Sequence, residues 1–234
     1  MSRGEEIRRI SEFYDNAEWR EQSPARYSFF DEANLYLYQA RDRAILRALR
    51  LSGVQSLSEK KILEIGCGRG NELNNFIRYG ASSDNLYGID LMEYRIADAI
   101  KVNPRINFTC GDASQLKMRT GSFDITMQFM AFTSIIDDDL KREIALEMLR
   151  VTKAGGLVLW VDFFLTNPFK RNPNVKAIGK SEIKRLFRGH NMSIKRAVLT
   201  RPVVNLISRR SIIACELLEK LSVFNSFYVG IINC

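Results

Sequence analysis

The sequence predicts a doubly wound α/β domain, and three features carry that prediction. From Gly53 onward, short apolar runs alternate with amphipathic stretches. A turn with glycines at 66, 68 and 70 follows the first apolar run, and the next such run ends in Asp90. Alternation of this length implies parallel strands joined by right-handed crossovers. In open sheets of that kind, ligands bind outside the carboxyl ends of the strands.

The elements follow in order. Residues 5–16 and 32–51 have helical spacing; in the second, Leu35, Tyr38, Ala44, Ile45, Ala48 and Leu49 share a face and Gly53 follows its stop. Between them, "REQSPARYSFFDE" is irregular and aromatic. "KILEIG" (61–66) reads as a first strand, 71–80 as a helix and "NLYGID" (85–90) as a second strand. A helix over 92–103 leads to a third strand, "INFTCGD" (106–112), and 123–129, 137–152 and 156–164 read as strand, helix and strand. The tail then gives a helix over 181–189 capped by Ser181, a strand over 192–200, one long helix over 203–221 and a last strand over 226–233.

Composition bounds the function classes. A chain of 234 residues with 46% hydrophobic and 26% charged residues supports one buried core with an appendage. The first residues hold no uninterrupted apolar stretch, and the longest apolar run, "GLVLWVDFFL", is half a membrane span and contains Asp162. The expectation is a soluble, cytoplasmic protein without a transmembrane segment. Cys67, Cys110, Cys215 and Cys234 show no CxxC spacing, so neither a metal site nor a disulfide framework is expected. Net charge is +8, but residues 165–234 carry 13 lysines and arginines against Glu182, Glu216 and Glu219, a tail of +10 beside a remainder of −2. Such a field attracts a phosphorylated or other anionic small molecule, an anionic membrane surface or nucleic acid.

The glycine turn narrows the ligand. Glycine lets the chain take unusual dihedrals and lets a ligand approach the main chain, while the next helix offers free N–H groups. The spacing is E-x-G-x-G-x-G; Asn71 stands where the third glycine of a dinucleotide fingerprint belongs, and no Walker lysine and serine follow. Asp90 at the end of the second strand suits the two hydroxyls of a ribose, Asp112 in "CGDA" suits an exocyclic adenine amine, and Glu64 suits an ammonium group. Adenosine bearing an amino acid fits these acceptors better than adenosine bearing pyrophosphate. The expected cofactor is S-adenosylmethionine, with S-adenosylhomocysteine as product.

At this point the chain resembles the class I S-adenosylmethionine-dependent methyltransferases, over roughly residues 55–165. "LEIGCGRG" is similar to their first motif, "LYGIDL" to the acidic loop, "CGDASQL" with "GSFDIT" to the adenine-contacting and fourth-strand motifs, and "EMLRVTKAGGLVLWVDF" to the helix, turn and fifth strand. The resemblance implies cofactor contacts from Glu64, Gly66, Cys67, Gly68, Asp90, Leu91, Asp112, Ala113 and Gln128. It also implies a seven-stranded sheet, mostly parallel with an antiparallel C-terminal hairpin and helices on both faces. The organisation expected is a single domain over 1–234: an N-terminal helical lid (1–52), a cofactor-binding core (55–165) and a basic acceptor-side region (166–234). The tail resembles stand-alone bacterial methyltransferases of the polysaccharide and natural-product type.

Methyl transfer is an in-line displacement, so alignment and exclusion of water are the main requirements. Asp162, ending the fifth strand, is the candidate catalytic residue, with Asn167, Arg209 and Arg210 on the acceptor side; His190 reads as a surface turn. Tyr14, Tyr27, Phe29 and Phe30 are candidate lid aromatics, with Tyr27 placed against the cofactor. Asp124 reads as structural, and Asp137 to Asp139 as the cap and first turn of a helix. The acceptor expected is a small anionic molecule, a sugar, its nucleotide- or lipid-linked form or a natural product, with O-methylation favoured. An RNA methyltransferase is the alternative, a non-catalytic cofactor-binding regulator a further one, and peripheral membrane contact is compatible with the basic tail.

Overall fold

The structure, a computed structural model, describes residues 2–15, 28–165 and 172–234. Seven strands form one sheet: β1 (Ile62–Ile65), β2 (Leu86–Asp90), β3 (Asn107–Cys110), β4 (Phe123–Phe129), β5 (Thr152–Phe163), β6 (Met192–Leu199) and β7 (Asn225–Asn233). Their order is β3-β2-β1-β4-β5-β7-β6. The first five lie parallel to their neighbours, and β7 runs antiparallel between β5 and β6. The sheet is therefore the doubly wound one expected, closed by an antiparallel pair at its C-terminal edge. Strand order reverses at β1, which opens a crevice where β1 and β4 end.

Both faces of the sheet are covered, and the alternation along β5 shows how. Leu157, Leu159 and Val161 enter one core with α2 (Glu32–Leu51), α3 (Asn71–Arg78), α7 (Arg201–Ile207) and α8 (Ile212–Lys220). Val158 and Trp160 enter the other, with α5 (Asp138–Val151) and α6 (Lys180–Leu186). A period of two on a strand buried on both sides produces this division. α1 (Arg3–Asp15) lies at the second core, and α4 (Glu93–Val102) follows β2 and sends Ile96 into the first.

Local chemistry sets the boundaries. Asp31 caps α2 by accepting from Asn34 N at 2.9 Å, and Gly53, with φ +85°, follows its end. Asp137 caps α5 through Leu140 N at 2.8 Å, as expected. Two expectations are corrected. The long helix over 203–221 is two helices, because the Ser211 side chain accepts from Ala214 N and starts α8 afresh. α6 begins after Gly179 rather than at Ser181, whose side chain gives no cap. Among the described residues no helix is long and apolar enough to cross a membrane.

Candidate active site

A cavity of about 850 Å³ opens at the carboxyl ends of β1, β2 and β4, beneath α1. Its floor is the glycine turn. Gly66 N and Cys67 N donate to Ile89 O at 2.8 and 3.0 Å, tying the turn to β2. Gly66 has φ +67°, and a Cβ there would stand 2.8 Å from the Ala131 methyl; at Gly70, φ +75°, it would meet the Phe108 ring at 2.6 Å. Only glycine meets both conditions.

Acids from successive strand tips converge on this floor. Asp90, ending β2, accepts from Gly68 N at 2.8 Å and from Met92 N at 2.9 Å, so its carboxylate joins the glycine turn to the start of α4. Leu91 and Ala113 line the wall beside it. Cys67 lines the floor, and burial raises its thiol far above the usual range. Glu64 on β1 is buried at 2% exposure, and its Oε2 has no hydrogen-bond partner. Burial, with Glu72 and Asp90 nearby, pushes the Glu64 carboxyl well above the ordinary glutamate range. An unpartnered buried carboxylate oxygen facing a ligand cavity calls for a donor.

Asp112, beyond β3, accepts from Ser114 N at 2.8 Å and from Arg3 Nη2 at 2.6 Å and Nε at 3.2 Å. Burial raises this carboxyl, but Arg3 and Ser114 outweigh that and hold it below the usual range. Arg3 belongs to α1, which forms the roof. Glu6, fully buried, accepts from Ile136 N and from Asp137 N at 3.3 Å and pairs with Arg9 at 2.7 Å. Tyr14 Oη lies 2.6 Å from Ser134 Oγ, the Tyr14 carbonyl accepts from Tyr94 Oη at 2.8 Å, and Arg95 lies 4.1 Å from the Tyr14 ring centroid. Ile7, Ile10 and Phe13 face the space below.

The wall toward α2 holds a feature that sequence reasoning missed. Arg41, 7% exposed, lies 2.6 Å from Glu72 Oε1 and 5.0 Å from the Tyr38 ring centroid. Its Nε has no hydrogen-bond partner, and its contact with Glu72 lacks hydrogen-bond alignment. Arg41 and Glu64 line the same cavity, close enough for the Arg41 charge to act on the Glu64 carboxyl.

Other expected site residues lie elsewhere. Gln128 is fully buried and off the cavity wall; its amide donates to Val161 O at 3.3 Å and accepts from Ala131 N at 3.1 Å, which fixes the turn after β4. Asp162 is likewise fully buried and off the wall; it accepts from Thr133 N at 3.2 Å and Phe163 N at 2.9 Å. Burial pushes its carboxyl up to about 7. Arg209 and Arg210 stand exposed on the turn between α7 and α8, away from the cavity lining. His190, before β6, meets Asn233 O at 3.1 Å, and Asp124 ties Lys61 N and Lys153 together, each at 2.9 Å. Of the lid aromatics, Tyr14 and Phe29 line the cavity while Phe30 points wholly into solvent. Tyr27 and Asn167 lie outside the described residues.

Against known proteins, residues 62–156 match the family model described as a methyltransferase domain. Residues 62–156 carry a methyltransferase domain. The chain is 28% identical over 119 residues to a tRNA N(3)-methylcytidine methyltransferase of Schizosaccharomyces pombe, a stretch covering 47% of this chain and 38% of that protein. Its fold is similar to that of geranyl diphosphate C-methyltransferase from Streptomyces coelicolor A3(2), at 12% identity, 97% coverage of both chains and a TM-score of 0.62. The PH0226 protein of Pyrococcus horikoshii OT3 is similar at 16% identity, with 93% of this chain and 99% of that one covered and a TM-score of 0.59. The cofactor that the sequence motifs imply is S-adenosylmethionine. The residues present fit it: the buried Glu64 Oε2 lacks a donor, and the glycine floor has no room for a side chain at Gly66 or Gly70.

Proposed function

We propose that the chain transfers the methyl group of S-adenosylmethionine to a small molecule held under α1. The observation that carries this reading is the Glu64 and Arg41 pair in the cavity lining, a buried acid and a buried base that each keep an unpartnered atom. An α-amino acid presents the complementary pair of charges. Glu64 would accept from its ammonium group and Arg41 would donate to its carboxylate. Asp90 would take the ribose hydroxyls, and Asp112, still bonded to Arg3, would offer a remaining lone pair to the adenine amine. Leu91 and Ala113 would flank the base.

The bound cofactor supplies an electrophilic methyl group on a sulfonium. The chain's own task is placement. α1, tied down at Arg3, Glu6 and Tyr14, closes the cavity over the reacting centre and keeps water from it. Asp162 holds the backbone of Thr133, next to the Ser134 that binds Tyr14, so it acts as a positioning residue for the roof. Its carboxylate does not face the acceptor.

A roofed cavity favours a small acceptor over a folded nucleic acid. An anionic acceptor would have to meet Arg41, Arg69, Arg78 or Arg95, because Arg209 and Arg210 do not line the cavity. RNA remains the second reading, favoured by the relative that acts on tRNA and by the basic C-terminal third. Incubating the protein with methyl-labelled cofactor and fractionated cell extract tests both. Label in the small-molecule fraction supports the first reading, and label in RNA alone replaces it with the second.

A further inference from the structure

Residues 206–224 contain seven of the fifteen large apolar side chains that stand exposed among the described residues, so the exposure is concentrated at one place. α8 shows the pattern most clearly. Ile213, Leu217 and Leu221 follow helical spacing on its outer side at 70%, 58% and 61% exposure, while Cys215 and Leu218 pack inward. Leu206 on the adjoining α7, with Val223 and Phe224 beyond α8, extends the patch. A helix apolar on both sides is ordinarily covered, and a contiguous apolar patch marks a contact site.

Charge identifies the cover. Arg209 and Arg210 stand at the turn into α8, and Lys220 stands near its end, all three exposed. Among the described residues none of them forms an ion pair; the glutamates of this region, Glu216 and Glu219, face Arg43 at 3.7 and 3.9 Å instead. Two arginines ahead of a helix whose first turn has no acid oppose the helix dipole, a local cost that an anionic partner offsets. A two-fold dimer through this patch would bring the arginines of one copy near those of the other, which disfavours a second copy as the cover. β6 ends and β7 begins on the rim of the sheet that carries the cavity, so the α7–α8 connection leaves and rejoins the sheet at that rim.

We propose that the α7–α8 surface docks the protein on an anionic lipid bilayer. Ile213, Leu217 and Leu221 enter the acyl boundary, and Arg209, Arg210 and Lys220 reach the headgroups. The test is sedimentation of the full chain with phosphatidylcholine vesicles, with and without phosphatidylglycerol. Binding is expected only to the anionic vesicles, weakening as salt rises. The pair Arg209→Gln and Arg210→Gln should weaken it roughly 30-fold, and the pair Ile213→Ser and Leu217→Ser should abolish it. Because both pairs lie on the surface, S-adenosylhomocysteine affinity should not change in either. Equal binding to both vesicle types, binding to neither, or a concentration-dependent dimer that Leu217→Ser dissolves would overturn the proposal. The methyltransferase reading would survive that result, since vesicle binding needs no cofactor.

Discussion

Arg3 on α1 reaches Asp112 beyond β3 at 2.6 Å, a contact that joins the first helix to the acid set beside the adenine side of the cavity. Because α1 lies over the cavity, we expect ligand exchange to be eased when this contact and its neighbours let go. Arg3→Met should therefore raise both the association and the dissociation rate of S-adenosylhomocysteine. The pair is part-exposed and worth at most about 1 kcal/mol, so the dissociation rate should rise roughly two- to fivefold. Stopped-flow fluorescence of the roof against the bound ligand measures both rates, and unchanged rates would remove α1 from the gate.

Gly66→Ala forces a Cβ into contact with Ala131 at a backbone angle that L-residues avoid. We expect a loss of about 1–3 kcal/mol in stability by chemical denaturation and no measurable cofactor binding by the folded fraction. Gly53→Ala, also at positive φ but with open space around it, should cost only the strain and leave binding intact.

Asp162 makes stability depend on pH. Its folded carboxyl titrates at about 7 because burial favours the neutral form, whereas an unfolded aspartate titrates near ~4. Between those values the folded chain keeps a proton that the unfolded chain releases. Its contribution is thus complete in acid, declines as pH rises from about 4 to about 7, and is flat above that. Asp162→Asn should remove a decline on the order of a few kcal/mol from the unfolding free energy, measured in urea and plotted against pH. An identical profile in the variant would contradict the assignment.

Glu64 gives cofactor binding the opposite pH trend. Burial keeps it protonated beyond the ordinary glutamate range, and an ammonium group needs it ionised. Binding should therefore release a proton, and affinity should fall as pH falls. Calorimetry in buffers of different ionisation enthalpy should show that release in the wild type and its absence in Glu64→Gln.

What the sequence made legible was local. The glycine turn, Asp90 and the cap at Asp137 announce themselves because each works on residues close by in the chain or on a strand tip set by alternation. The roof was legible as an N-terminal helical lid with Tyr14 among its aromatics, but not in the contacts that hold it. Its function depends on contacts from Arg3 to Asp112, Glu6 to Ile136 and Tyr14 to Ser134, each spanning more than a hundred residues. Arg41 was invisible for the same reason, since only the packing of α2 against α3 turns it inward. Asp162 and Gln128 occupy strand positions whose side chains could meet either a ligand or the neighbouring backbone. The turn over 130–134 decided for the backbone. The break between α7 and α8 falls on the polar stretch 208–211, where the Ser211 side chain starts the second helix.

The most direct test of the central claim is calorimetric titration of wild type and Glu64→Gln with S-adenosylhomocysteine and with 5′-methylthioadenosine, which lacks the amino-acid end. Loss of a buried charge-assisted bond should weaken S-adenosylhomocysteine roughly 10- to 100-fold in the variant, with 5′-methylthioadenosine bound equally by both proteins. Equal affinity of the two proteins for S-adenosylhomocysteine would contradict the account.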